Sequence, residues 1–343
     1  MQNRNQIMRK RNWVIVLSVV LIVANTALFA QPADIEKLLL EKNVPALGVG
    51  IIEDGVLRQL IVYGVLEENN PAPYNAIFNV ASLSKPIATL VTLRLVSNGE
   101  WDLDEPLYHY WIDPDVKDDP LHEKLTTRHV LTHQTGFDNW RRMHESKKLT
   151  FNFDPGTKVN YSGEGFEYLR HAIERKFNKP IEELADSLIF QPYGMNDSRL
   201  LWDESMHKPR YAEEHNTDGE PYHLWKRTED ACASDDVLTT IEDYCLFGVN
   251  VMNGSGLTEE IHQDMLRLQV SVNEKGGFGL GWWITPDFYK GEYAILHTGS
   301  DAGVATKVIL LPESKRGIVM FTNGDNGFDI IEKVEADFFA SGI

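Results

Sequence analysis

Asp54-Gly55 interrupts two apolar, β-branched runs, Ala46 to Glu53 and Val56 to Val65. A type I′ turn needs positive φ at both central positions, which Asp-Gly adopts readily, so the two runs read as a tight antiparallel hairpin. The far end of the chain repeats the theme. Tyr293 to His297, Val304 to Leu311 and Gly317 to Thr322 read as three strands, followed by a helix, Phe328 to Phe339, with apolar Ile330, Ile331, Val334, Phe338 and Phe339 at near-helical spacing. Short connections at both ends argue for one antiparallel sheet built from the two ends of the chain and covered by helices. Between them the sequence changes in kind. Helical patterns at Ile87 to Asn98, Thr127 to Thr132, Glu164 to Phe177 and Pro180 to Ile189 alternate with acidic loops and many aromatic residues. The expected fold is α+β: an antiparallel sheet flanked by helices, from residues 31–92 and 231–343, with a mostly helical lobe, residues 93–230, inserted into it. The junction of two such lobes is a favoured place for a cleft.

The 343 residues, 43% apolar, are enough for a sizeable core. With 33 basic against 51 acidic residues and no basic cluster, the chain lacks the footprint of a nucleic-acid partner. Its first thirty residues stand apart. Arg4, Arg9, Lys10 and Arg11 precede a twelve-residue apolar run, Trp13 to Ala24, and the small residue Ala30. That order reads as a secretory signal over residues 1–30, so the protein is expected to be exported, periplasmic or secreted. An uncleaved anchor is the alternative, because Trp13 to Ala30 spans eighteen residues. No later segment reads as membrane-spanning, and without residues 1–30 the balance is 29 basic against 51 acidic groups, a charge of -22. The two cysteines, Cys232 and Cys245, leave a bridge open, since Cys245 falls in a helical pattern that fixes neither distance nor angle. No C-x-x-C or neighbouring His pair completes a zinc site around them.

Three hydrolytic motifs were weighed. No Ser carries Gly two residues away on both sides, so the nucleophile elbow is absent. His129 and His133 have the i, i+4 spacing of a metal pair, yet Val130 stands where a zinc protease has its Glu and no third ligand is indicated, so structural histidines are the expectation. S-x-x-K occurs at Ser82-Leu83-Ser84-Lys85 and again at Ser205-Met206-His207-Lys208. Context separates them. Ser82 follows the strand-like Ala76 to Val80 and opens the apolar helical run Ile87 to Val96, whereas Ser205 sits in a loop before Pro209. At i and i+3 on one helix, Ser82 and Lys85 point the same way, and the helix start offers backbone N–H groups where an oxyanion would develop. The competing reading is Ser82 as a plain N-cap.

The motifs together resemble the serine beta-lactamase and penicillin-recognising hydrolase superfamily, in particular its class C-related branch of esterases and D,D-peptidases. Besides Ser82 to Lys85, Leu125 to Gly136 is similar to the family's T-I-R-H-L-L-T-H-T-S-G segment, and Pro155 to Ser162 to its P-G-T-x-F-x-Y-S segment. Phe278-Gly279-Leu280-Gly281-Trp282 resembles Y-G-L-G-W, and His297-Thr298-Gly299 the [KH]-T-G triad. The resemblance implies Ser82 as acylated nucleophile, Lys85 as its proton partner and Tyr161 as second acid/base group. It implies an oxyanion hole from the N–H groups of Ser82 and Ser300, and substrate pairing along Thr298-Gly299 beside His297. It calls for no cofactor and no metal. The expected partner is a small-molecule or peptide substrate.

Two departures shift the expected substrate. Gly163 replaces the Asn of a Y-x-N motif, and His297 replaces a Lys suited to a substrate carboxylate. Both favour an esterase or peptidase over a true beta-lactamase or D,D-carboxypeptidase. A silent penicillin- or peptidoglycan-binding module and a metallohydrolase through His129 and His133 are the readings of other classes. Phe278, Trp282 and Trp283 are expected mainly as core, with a cleft-lining role as the alternative.

Overall fold

The computed structural model describes residues 32–341 apart from 68–69, 203–205, 207, 225 and 227. The leader of residues 1–30, and Ser205 and His207 of the second S-x-x-K, lie outside the described residues. Helix α1 (Pro32–Lys42) leads into β1 (Ala46–Glu53) and β2 (Val56–Glu67), and Asp54 and Gly55 between them take φ of 52° and 71°. A short β3 (Asn70–Pro71) follows, then β4 (Phe78–Asn79), which pairs with β5 (Leu238–Thr239) in a small separate ladder. Helices α2 (Ser84–Ser97), α3 (Thr127–Leu131), α4 (Gly163–Phe177), α5 (Ile181–Ala185) and α6 (Gln191–Tyr193) occupy the middle of the chain, and α7 (Ile241–Asn253) and α8 (Glu259–Leu266) follow β5. The remainder is β6 (Val270–Asn273), β7 (Gly276–Phe278), β8 (Trp283–Tyr289), β9 (Glu292–Asp301), β10 (Val304–Leu311), β11 (Arg316–Thr322) and α9 (Gly327–Ala340).

Among the described residues the main sheet has nine strands in the order β3-β2-β1-β11-β10-β9-β8-β7-β6. All its neighbours are antiparallel, and the first hairpin docks on the last strand with Leu47 opposite Thr322. The two ends of the chain therefore close one sheet. On one face α1 and α9 pack Ile35, Leu39, Ile330, Ile331, Val334 and Phe338 against Val49, Ile51, Ile309, Ile318 and Met320. Each such buried side chain stabilises the fold by about 1.5–3 kcal/mol relative to exposure. On the other face α7 lies so close to β1 that a Cβ on Gly50 would come 2.3 Å from Cys245 Sγ. Beside it runs α2, buried nearly all round through Ile87, Leu90, Val91 and Leu93, the pattern of a central rather than a surface helix.

The structure alters two readings and closes one that was open. The sheet extends through β6, β7 and β8, beyond the strands expected before Tyr293. The single helix expected from Pro180 to Ile189 is instead α5, a π-helical stretch Asp186–Phe190 and α6. Cys232 and Cys245 are both buried free thiols. No helix among the described residues is long and apolar enough to cross a membrane.

Candidate active site

Ser82 sits in a tight 3-10 turn, Ala81–Leu83, that joins the end of β4 to α2. Ala81 has a φ of 46°, a left-handed conformation that an L-residue adopts only where its surroundings enforce it. Here they do. Asn79 Oδ1 accepts from the Ala81 N–H at 2.9 Å, and Ser84 Oγ donates back to the Ala81 carbonyl at 2.7 Å. Thr306 of β10 donates to the Val80 carbonyl at 3.0 Å, and the buried Tyr244 hydroxyl to the Leu83 carbonyl at 2.9 Å. Ser82 itself makes no capping bond, so the plain N-cap reading fails: α2 is capped by Leu83, with no side-chain hydrogen bond.

Lys85, one turn on, is fully buried, and its Nζ donates to Ser82 Oγ at 2.9 Å and to the Ser234 carbonyl at 3.0 Å. Among the described residues no carboxylate lies within ion-pair distance of it. Its Nζ also lies 4.9 Å from the centre of the Tyr161 ring. Tyr161 is delivered by the start of α4, where Ser162 caps the helix by accepting from Gly165 N–H at 3.0 Å. His133 lies against its ring at 4.3 Å and Phe278 abuts His133 at 4.7 Å, so Phe278 supports the site from behind while Trp282 is pure core.

The two histidines of the i, i+4 pair do not converge. His129 Nδ1 accepts from the Thr126 N–H in a capping box, whereas His133, beyond the end of α3 with a φ of 55°, turns its Nδ1 to the Ser162 N–H at 3.1 Å. Among the described residues no group of three or more His, Cys, Asp or Glu is arranged to hold a metal.

Strand β9 brings the other expected residues alongside. Gly299 allows this approach, because a Cβ there would lie 2.3 Å from the Val80 carbonyl oxygen and 3.2 Å from Ser82 N. β8 pairs with β9 only as far as Leu296, so from His297 to Asp301 the strand is matched by β10 alone and its other edge faces the nucleophile's side. His297 is buried, and its Nδ1 lies 2.9 Å from the Thr298 carbonyl. A carbonyl only accepts, so Nδ1 carries the hydrogen and Nε2 presents a lone pair. Burial, aided by the Lys85 charge, pushes its pKa down to about 3, and the imidazole is neutral at physiological pH. Ser82, Lys85, Tyr161, His297, Thr298, Gly299 and Ser300 are thus gathered at one place.

Residues that the sequence did not flag complete the surroundings. A cavity of about 270 Å³ beside the turn is lined by Asn79, Trp140, Trp202, Asp235, Asp236 and Asp301 among others. Trp140 also crowds position 163, where a Cβ would come 3.1 Å from its ring. Larger grooves, such as the one of about 810 Å³ around Asp104, Arg128 and Asp264, contain no nucleophile of this kind. Burial, only partly opposed by Lys85 and reinforced by Asp301 and Asp236, pushes the Asp235 carboxyl up to about 8. A raised acid binds its proton more tightly folded than unfolded, so its stabilising contribution is full below about pH 4 and is lost as pH rises to about 8. Above pH 7 the buried imidazoles are neutral in both states, and the buried Cys232 and Cys245 thiols, pushed up by burial, add a fall toward pH 8.5 that is common to wild type and variant. The melting temperature should fall between pH 7 and 8.5, and Asp235→Asn should flatten that fall in thermal unfolding; parallel curves would refute the assignment.

Comparison with known proteins bears on the family and the fold. The family described as Beta-lactamase matches residues 27–338. The chain is 28% identical to esterase EstB of Burkholderia gladioli over 185 residues, 45% of either chain. It is 22% identical to a penicillin-binding protein of Bacillus subtilis over 310 residues, 76% of this chain and 64% of that one. The matched stretch thus spans less than two thirds of either relative. Among solved structures, the D-amino acid amidase from Ochrobactrum anthropi SV3 superposes with a TM-score of 0.74 at 18% identity, covering 93% of this chain and 99% of that one. A class C beta-lactamase gives 0.73 at 20% identity, covering 89% and 94%. At such identities the structures establish a shared α+β fold. With the family match running through nearly all of the sequence, the chain belongs to the beta-lactamase family of serine hydrolases.

Proposed function

We propose that this enzyme hydrolyses esters or amides with uncharged or cationic acyl groups through a Ser82 acyl-enzyme, and that its leader directs it out of the cytoplasm. The contact between Lys85 Nζ and Ser82 Oγ, inside a turn that the surrounding structure holds rigid, carries the reading. Lys85, acting in its amine form, takes the Ser82 proton as Oγ bonds to the substrate carbonyl carbon. The oxyanion forms near the N–H groups of Ser82 and Ser300. As the carbonyl re-forms, the bond to the alcohol or amine breaks and Tyr161 supplies the proton that the leaving group needs. A water then attacks the acyl carbon, giving its proton to Tyr161, and Ser82 Oγ leaves with a proton returned by Lys85. The edge of β9 at Thr298-Gly299, beyond the reach of β8, offers main-chain pairing to a peptide-like substrate.

Substrate preference follows from charge. Where the [KH]-T-G pattern admits a lysine, neutral His297 offers a lone pair, and Asp301 lines the adjacent cavity, whereas Asp235, its carboxyl pushed up to about 8, keeps its proton at pH 7 and adds no charge. A beta-lactam carboxylate meets repulsion there rather than an ammonium. Accordingly kcat/KM for a p-nitrophenyl ester should exceed that for a chromogenic cephalosporin by roughly tenfold or more. His297→Lys should narrow that ratio by about the same factor. A wild-type enzyme that prefers the cephalosporin over both the ester and a D-Ala-D-Ala peptide would refute this preference and leave a true beta-lactamase.

A further inference from the structure

Lys85 is steered by a carbonyl, and that carbonyl is itself held in place. Its second acceptor, the oxygen of Ser234, belongs to a short stretch between Ala231 and Val237 with no regular structure of its own. The ends of that stretch are held by Asp236 Oδ2, which accepts from the Cys232 N–H at 2.7 Å, and by Ser84 Oγ, which accepts from the Val237 N–H at 2.9 Å, and its middle is held from the helical part of the molecule. Glu167, in the second turn of α4, accepts from the Ser234 N–H at 3.3 Å and from the Cys232 thiol at 3.3 Å with the same oxygen, Oε1. Its other oxygen accepts from Arg170 Nε at 3.0 Å. Arg170 is 6% exposed at its side chain and also binds Asp230 at 2.9 Å, just upstream of the same stretch. The helix that presents Glu167 is the one that Tyr161 immediately precedes, next to its N-cap Ser162, and its Phe166 ring lies 5.9 Å from Lys85 Nζ.

We propose that Glu167 is a positioning residue that acts through the backbone of Ser234, holding its N–H so that its carbonyl fixes the Lys85 amine against Ser82 and at a set distance from Tyr161. The carboxylate spans the junction between α4 and the segment leading into β5. Oε1 must reach the Ser234 N–H for the Ser234 carbonyl to stay aimed at Nζ. The essential property is therefore reach, with charge secondary. A buried carboxylate with a single structural partner would show the opposite dependence. This inference rests on the reading of Lys85 as the proton acceptor of Ser82.

Two conservative variants separate the cases. Glu167→Gln keeps the reach and an acceptor oxygen, whereas Glu167→Asp keeps the charge and withdraws it by one methylene. With a p-nitrophenyl ester, Glu167→Asp should lower kcat by about tenfold or more, KM changing by less than about threefold, since a displacement near 1 Å can cost up to about a hundredfold. Glu167→Gln should stay within about threefold of wild-type kcat even where it loses thermal stability beside Arg170. The rate of Ser82 labelling by a fluorophosphonate should follow the same order. Equal kcat for both variants, or loss in Glu167→Gln alone, overturns the proposal. Ser82→Ala, measured in parallel, distinguishes the failures: if it loses turnover while both Glu167 variants retain it, only the positioning role falls, and if it retains turnover, the acyl-enzyme reading falls with it.

Discussion

Replacing Ser82 with Ala should lower turnover by roughly four to six orders of magnitude and abolish labelling by fluorophosphonates, the loss expected when a covalent nucleophile is removed from a preorganised site. The variant should remain folded. Among the described residues Ser82 Oγ bonds only to Lys85 Nζ, and the turn around it is held by Asn79, Ser84, Thr306 and Tyr244 instead. Residual turnover within tenfold of wild type would show that acyl transfer runs through another group.

Lys85→Met should be the next most damaging change, at roughly 10²- to 10⁴-fold in kcat, the range supplied by a positioned base. Methionine retains much of the buried stem's volume but cannot accept the Ser82 proton or bind the Ser234 carbonyl. Labelling of Ser82 should slow by a similar factor without vanishing. Labelling at the wild-type rate would move the role of base to another residue, with Tyr161, whose ring lies 4.9 Å from Lys85 Nζ, the first candidate.

How far the sequence reveals such a site depends on how local its signals are. The hairpin at Asp54-Gly55 and the strands Val304–Leu311 and Arg316–Thr322 are legible because turn chemistry and apolar runs act over a few residues. Strand β8 hides its nature: Pro286 and Asp287, the latter with a φ of 49°, interrupt its pairing with β9 between Thr285 and Tyr289. The segment from Pro180 reads as one helix because its apolar spacing continues through the π-helical stretch Asp186–Phe190, where the backbone bonding changes and the side-chain pattern does not. At the site, Ser82 and Lys85 stand out because they lie three positions apart on one turn, and Tyr161 and His297 through motifs that resemble a family. Ser234, Glu167, Asp235 and Asp301 give no such signal. Ser234 is 149 positions from Lys85 and 67 from Glu167, and only the folded chain brings them together.

Intact-mass and peptide analysis after brief exposure to a panel of esters, amides and beta-lactams tests the Ser82 acyl-enzyme most directly. A transient mass increase equal to the acyl group is expected on the peptide containing Ser82, strongest for an uncharged or cationic acyl ester and absent in Ser82→Ala. Turnover with no adduct on that peptide, or an adduct that persists in Ser82→Ala, would contradict it.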